Sequence, residues 1–296
     1  MGKYYFTGFA DEAAADIDGQ IKATKELGWS NIEARGVDCV QIHDVTDEKF
    51  DEIYGKLMDA GVNVNCFGSA IGNWSKKITD PIDVTIGEAT RAAKRMERLG
   101  CKLIRVMSYV VCEGSLDDEN QLYDERVKRL KEVVKICADS GVTVVHENCD
   151  SYGGMGVSFI ERMINDVPGM RLVFDTGNPP MTHDRDKSEP YPMQNTWELY
   201  QALKQYIEYV HIKDMVLDEE KRPVFVMPGD GDGYVREVLT DLIRSGYSGG
   251  ISMEPHLSIV VHDKSVVSTA EAAYSSYIEF SKRAIALVKE IEDEIK

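Results

Sequence analysis

Short apolar runs rich in β-branched residues recur along the chain, and between them apolar residues return at helical spacing. A single pattern repeats: a helix, a glycine, then a run of strand length. Lys22-Ala-Thr-Lys-Glu-Leu-Gly28 leads into Asn31-Ile-Glu-Ala-Arg35, and Glu52-Ile-Tyr-Gly-Lys-Leu-Met-Asp-Ala-Gly61 leads into Val62-Asn-Val-Asn-Cys-Phe67. The stretch from Arg91 to Gly100 leads into Lys102-Leu-Ile-Arg-Val-Met107, and that from Val127 to Gly141 leads into Val142-Thr-Val-Val-His-Glu147. Later, Val238 to Gly246 leads into Gly250-Ile-Ser-Met-Glu254. A glycine just past the last helical residue is the usual stop, because it takes the left-handed conformation cheaply.

With the run at residues 4–9 as the first strand, and the runs at 172–175 and 209–212 added, eight strands are predicted. The 296 residues then divide into units of roughly 37, enough for a strand, a helix and two loops. Strands alternating with helices at this rhythm imply parallel β/α units. The expected fold is a (β/α)8 TIM barrel, one domain over residues 1–296. A doubly wound open sheet is the alternative, and eight even units without a nucleotide loop favour closure. Two long segments, 176–195 and 213–233, leave the C-terminal ends of strands six and seven and are placed to fold over the barrel mouth.

Charge narrows the class of partner. The net charge is −17, which argues against nucleic acid and anionic membrane while leaving room for a small substrate in a local pocket. Cysteines 39, 66, 101, 112, 137 and 149 form no CxxC pair, and Cys101 and Cys137 read as small core residues. The opening Met1-Gly-Lys-Tyr-Tyr-Phe lacks the apolar stretch of a secretory signal, and no run is as apolar as a membrane span. A cytoplasmic protein is expected.

The chemistry lies at the strand ends. Four successive strands finish on Glu147, Asp175, His211 and Glu254. In a parallel barrel such residues converge at the mouth. Three oxygen donors and one imidazole suit a single divalent ion, Mn²⁺ first, with Mg²⁺, Co²⁺ or Zn²⁺ as alternatives.

The pieces His-Glu-Asn (146–148), Phe-Asp-Thr-Gly-Asn (174–178), Val-His-Ile-Lys-Asp (210–214), Pro-Gly-Asp-Gly (228–231) and Met-Glu-Pro-His (253–256) carry a resemblance. The chain resembles the xylose-isomerase-like TIM-barrel superfamily, in its sugar phosphate isomerase/epimerase group. That group holds ketose 3-epimerases, inosose dehydratases, inosose isomerases and hydroxypyruvate isomerases. The resemblance implies that Glu147, Asp175, His211 and Glu254 are metal ligands and that Glu147 and Glu254 are also the catalytic pair. Where ketose 3-epimerases carry Asp-Thr-Phe-His, this chain reads Asp175-Thr-Gly-Asn178, which sets it apart from a plain 3-epimerase.

Isomerising or epimerising a keto sugar requires removal of a proton α to a carbonyl. A divalent ion stabilises the enediolate, and carboxylates on opposite faces take and return the proton. Substrate contacts are expected from Glu33, Trp74, Asn178, Lys213, Asp214 and His256. His146 points away from Glu147 in a strand and reads as a packed, hydrogen-bonded histidine. The loop at 228–233 reads as a tight turn shaping the mouth, since its two aspartates work against anion binding, and an unphosphorylated substrate is favoured. The leading function is a metal-dependent sugar isomerase or epimerase. Alternatives are an inosose or keto-sugar dehydratase, a C-glycoside-cleaving subunit, and a non-catalytic sugar-binding or partner subunit. A homodimer or tetramer is expected by resemblance, with residues 255–268 as a pairing segment.

Overall fold

The eight predicted strands all form. The structure, a computed structural model, describes residues 3–257 and 268–296. The strands are β1 (Tyr5–Gly8), β2 (Asn31–Ala34), β3 (Asn63–Gly68), β4 (Leu103–Val106), β5 (Thr143–Glu147), β6 (Met170–Asp175), β7 (Ile207–Ile212) and β8 (Gly250–Met253). They lie in the order β1-β8-β7-β6-β5-β4-β3-β2, every pairing parallel. A parallel bridge between Phe9 and Glu33 brings β1 against β2 and closes the ring. Eight helices cover it: α1 (Ile17–Glu26), α2 (Asp47–Ala60), α3 (Ile82–Leu99), α4 (Tyr123–Asp139), α5 (Val157–Asp166), α6 (Thr196–Leu203), α7 (Val235–Arg244) and α8 (Ala270–Ile295). The predicted glycine stops at 28, 61, 100, 141 and 246 all have left-handed φ, between 63° and 77°. Asp16, Thr46, Asn195 and Thr269 cap four helix N-termini through their side chains, each meeting an otherwise unpaired amide.

Strand alternation divides the core in two. Outward residues such as Ile104, Val144, Leu172, Val210 and Ile251 pack under the helices. Inward residues fill the barrel: Cys66, Val145, Val173 and Tyr209 make an apolar layer, and the next inward position of β5, β6 and β7 is Glu147, Asp175 or His211. The ionisable groups therefore stand one step above an apolar floor. Cys101 and Cys137 are buried, and all six cysteines are free thiols.

The long loops carry more structure than their composition suggested. Residues 213–233 contain an antiparallel hairpin, Met215–Leu217 against Pro223–Phe225, and the segment after β6 includes a short helix at Pro179–Met181. The suggested pairing segment, 255–268, falls largely outside the described residues. No helix among the described residues is long and apolar enough to cross a membrane.

Two histidines lie in the outer core. His146 is fully buried, with its ring against Gly153, where an added Cβ would sit 2.8 Å from Cε1. It is packed, as expected, but neither ring nitrogen has a hydrogen-bond partner among the described residues, so the expected hydrogen bonding is corrected. His43 is in the same position, its nearest carboxylate oxygen being Asp44 Oδ2 at 3.6 Å. Burial, helped by the positive charge of Lys76 and set against the pull of Asp44, lowers the His43 pKa to about 4. The unfolded chain takes up this proton near pH 6.5 while the native state resists it until about pH 4. Stability from His43 is thus present above pH 6.5 and is lost as pH falls toward 4. The His43→Leu variant should lose less stability than wild type between pH 7.5 and 5, the slopes differing by up to ~1.4 kcal/mol per pH unit. Urea unfolding at the two pH values measures it; identical slopes would refute the assignment.

Candidate metal centre

At the C-terminal mouth, Glu147, Asp175, His211 and Glu254 each present a ligand atom, and these atoms all lie within 4.8 Å of one another. All four side chains are buried. His211 Nδ1 is 3.3 Å from Glu254 Oε2, 3.4 Å from Glu147 Oε1 and 3.9 Å from Asp175 Oδ2. Its Nε2 points the other way, to Glu33 at 3.1 Å. A carboxylate behind a ligating imidazole fixes its tautomer and orientation, leaving Nδ1 free to coordinate.

Each of the three candidate carboxylates is held by neighbouring groups. Asp175 Oδ1 accepts the amides of Gly177 (2.7 Å) and Asn178 (2.9 Å), and its backbone is clasped by the Asn148 side chain in both directions. Glu147 Oε2 pairs with Arg105 Nη1 at 3.2 Å, and Glu254 Oε1 with Arg35 Nη1 at 3.2 Å. The Phe9 ring lies under both guanidinium groups, 4.2 Å from Arg35 Cζ and 5.1 Å from Arg105 Cζ. The remaining edges of Asp175 and Glu254, Oδ2 and Oε2, accept no hydrogen bond from any described group although both are buried. Two buried carboxylate oxygens with no donor in hydrogen-bond geometry, beside the His211 imidazole and a third carboxylate, fit a divalent cation.

Charge points the same way. Among the described residues, Asp11, Glu12, Glu33, Glu147, Asp175 and Glu254 crowd around three permanent cations, Arg35, Arg105 and Lys213. Buried carboxylates need compensation, and a divalent ion brings the imbalance to about one charge. The titration behaviour reflects the crowding. Burial and its carboxylate neighbours lift Asp175 to about 7, against the pull of Lys213. For Glu147, Arg105 and His211 outweigh burial and hold it down at about 2. Burial disfavours the His211 imidazolium, yet Glu33, Glu147 and Glu254 raise its pKa well above the ordinary value.

A cavity of about 730 Å³ opens above these groups, lined by Trp74, Asn178, Lys213 and His256 among others. Asn178 Nδ2 donates to Glu147 Oε1 at 3.4 Å, and Lys213 Nζ lies 3.0 Å from Asp175 Oδ2. His256 reaches the mouth by a left-handed turn, φ 53°, rather than by strand continuation. Its Nδ1 and backbone amide meet Glu12, at 3.0 and 2.8 Å, and Nε2 is 3.6 Å from Glu254 Oε1.

Two expected substrate contacts stand elsewhere. Glu33 is buried beneath His211, where it also accepts from Ser252 Oγ at 2.5 Å, and it does not line the cavity. The Asp214 carboxylate turns into its own loop and accepts the amides of Gly229 (2.8 Å), Gly231 (3.0 Å) and Gly233 (2.9 Å). A Cβ on Gly231 would lie 2.4 Å from Asp214 Oδ1, so glycine is required for that approach. The anion slot of the 228–233 loop is therefore filled by the protein's own carboxylate. The structure also brings in residues not anticipated for the site: Arg105, Asp11, Glu12 and Asn148. Arg105 had a signal, being an arginine at an inward position of an apolar strand. Arg35 does not pair with Glu33; it joins Asp11, Glu12 and Glu254.

Comparison with known proteins agrees with this fold. Curated proteins give no match. Among solved structures, a xylose isomerase-like TIM barrel protein from Mycobacterium smegmatis in complex with magnesium is 16% identical, with 97% of this chain and 98% of that one covered and a TM-score of 0.67. D-psicose 3-epimerase with D-tagatose, from Clostridium cellulolyticum H10, is 15% identical over 97% and 99% of the chains, with a TM-score of 0.68. A probable 3-DHS dehydratase from Bacillus anthracis is 13% identical over 93% and 97%, with a TM-score of 0.63. These likenesses establish the shared fold. The family model described as xylose isomerase-like TIM barrel matches residues 21–284, and the chain belongs to that family.

Proposed function

We propose that the protein is a divalent-metal-dependent sugar isomerase or epimerase that removes the proton α to the carbonyl of an uncharged keto sugar or related polyol. The observation that carries this reading is the pair Glu147 and Glu254. They rise from β5 and β8, each gripped at one oxygen by its own arginine, and both border the cavity. Glu147, Asp175, His211 and Glu254 would hold the ion, with Mn²⁺ the first candidate and Mg²⁺, Co²⁺ or Zn²⁺ the others. When bound, the ion supplies Lewis-acid polarisation of the substrate carbonyl and stabilises the charge that builds beside it. A carboxylate oxygen of Glu147 takes the α-proton on one face, and Glu254, entering the cycle protonated, returns its proton on the other. Trp74 forms an apolar wall against the sugar, while Asn178 and Lys213 donate to its oxygens.

The charge count supports an uncharged substrate. With a divalent ion the buried groups are nearly balanced, and a phosphate dianion would undo that balance. The glycine-rich loop at 228–233 is already filled by Asp214.

Calorimetric titration of chelator-stripped protein with Mn²⁺ tests the metal reading, and one site per chain is expected. Turnover on a sugar panel should vanish on chelation and return with the ion. Persistent turnover without metal would overturn the proposal. Glu33→Gln should weaken Mn²⁺ binding ~10–100-fold, because the imidazole loses the carboxylate that orients it.

One observation favours a lyase as second reading. His256 lines the cavity with Nδ1 held by Glu12, and is placed to protonate a departing β-hydroxyl after the same first step. Release of water rather than a new stereocentre would select it.

A further inference from the structure

Lys213 Nζ lies 3.0 Å from Asp175 Oδ2 and 3.6 Å from Glu254 Oε2. Both oxygens are buried, and neither meets a described donor in hydrogen-bond geometry. They are also the oxygens through which Asp175 and Glu254 would reach an ion beside His211 Nδ1, since their other oxygens are taken by amides and by Arg35. An ammonium and a divalent ion on the same two oxygens would stand close enough to repel one another.

We infer that Lys213 is a displaceable counter-cation: its ammonium bridges Asp175 and Glu254 when no ion is bound and yields those oxygens to the ion. The inference rests on the proposed metal centre. Three features make the exchange workable. First, the ligands do not depend on Lys213 for their placement. Asp175 is fixed by the amides of Gly177 and Asn178, and Glu254 by Arg35. Second, the base of the Lys213 stem is fixed over Gly177, where an added Cβ would meet Lys213 Cγ at 2.7 Å. Third, Lys213 already lines the cavity, so its head has space to enter on leaving the carboxylates. Lysine suits this role because its ammonium is a compact point charge on a flexible chain, whereas a guanidinium fork would lock onto the carboxylates. The cation balances buried carboxylates before the metal arrives, and opposes the metal's charge while it binds.

The exchange makes a prediction opposite in sign to that of a merely structural lysine. Lys213→Met should bind Mn²⁺ about tenfold more tightly than wild type, ~1.4 kcal/mol, in calorimetric titration of chelator-stripped protein. Lys213→Arg, which keeps the charge, should bind no more tightly than wild type. If Lys213→Met does not stay folded without the ion, it is refolded in Mn²⁺ and the ion withdrawn with EDTA, release being followed by electron paramagnetic resonance. A release midpoint at higher EDTA than wild type supports the inference equally. Equal or weaker Mn²⁺ binding by Lys213→Met overturns it while leaving the metal centre standing. Absence of Mn²⁺ binding in both wild type and Lys213→Met overturns the metal centre, and the inference with it.

Discussion

Replacing Arg35 with methionine should destabilise the protein by ~3–5 kcal/mol, the loss typical when one partner of a buried ion cluster is removed. Arg35 Nε and Nη2 donate to the two oxygens of Asp11 at 2.9 and 3.0 Å. Nη2 also meets Glu12 Oε1 at 3.0 Å, and Nη1 meets Glu254 Oε1 at 3.2 Å. The side chain is only 6% exposed, so water cannot take over these contacts. Methionine fills the volume over Phe9 but leaves three carboxylates facing one another in a low dielectric. A fall in melting temperature of roughly 10 °C is expected for a chain of this size. Arg35→Lys should recover only part of the loss, because a point charge cannot satisfy the fork. Adding Asp11→Asn to Arg35→Met should restore stability, since it removes one of the stranded charges. A change below about 1 kcal/mol in Arg35→Met would mean that the cluster does not depend on the Arg35 charge.

The second large effect is on turnover. Glu147→Gln should lower kcat by ~10²–10⁴, the range for losing a positioned general base. Sugar binding should survive, because glutamine keeps the shape of the wall and an oxygen toward Asn178 Nδ2. Solvent deuterium exchange at the substrate α-carbon should fall in step with kcat. A glutamine variant that exchanges at the wild-type rate would remove Glu147 from the proton-transfer step.

Five of the eight strands were legible because a helix-ending glycine introduces each run, and the other three because they are short apolar runs of strand length. The four convergent residues were legible because each ends one of four successive strands in the same inward phase. Depth was not legible. Glu33 has that phase as well, yet it lies beneath His211 instead of above it, because Phe9 bridges to Glu33 where the barrel closes. Chain proximity also misled at Asp214, which follows Lys213 directly but is drawn off by three loop amides. The 228–233 loop was read as a tight turn, and the fold shows that its glycine amides hold the Asp214 carboxylate. Asp11 and Glu12 sit on a single turn after β1, too short to display any periodicity. Arg105 was readable in principle. A charged residue inside the run Leu103-Ile-Arg-Val106 needs a buried partner, and Glu147 on the adjacent strand supplies it.

The central claim is α-proton abstraction from a sugar at the Glu147 and Glu254 site. Its most direct measurement is deuterium incorporation, read by mass spectrometry and NMR, with Mn²⁺-loaded protein in D2O. The panel holds free ketoses, ketose phosphates, inososes and 3-keto-glucosides. The account predicts gain of one deuterium at the carbon next to the carbonyl of an unphosphorylated compound, with an altered stereocentre or a moved carbonyl. Absence of exchange on every compound, with the ion verified as bound, would contradict it and make the barrel a sugar-binding subunit.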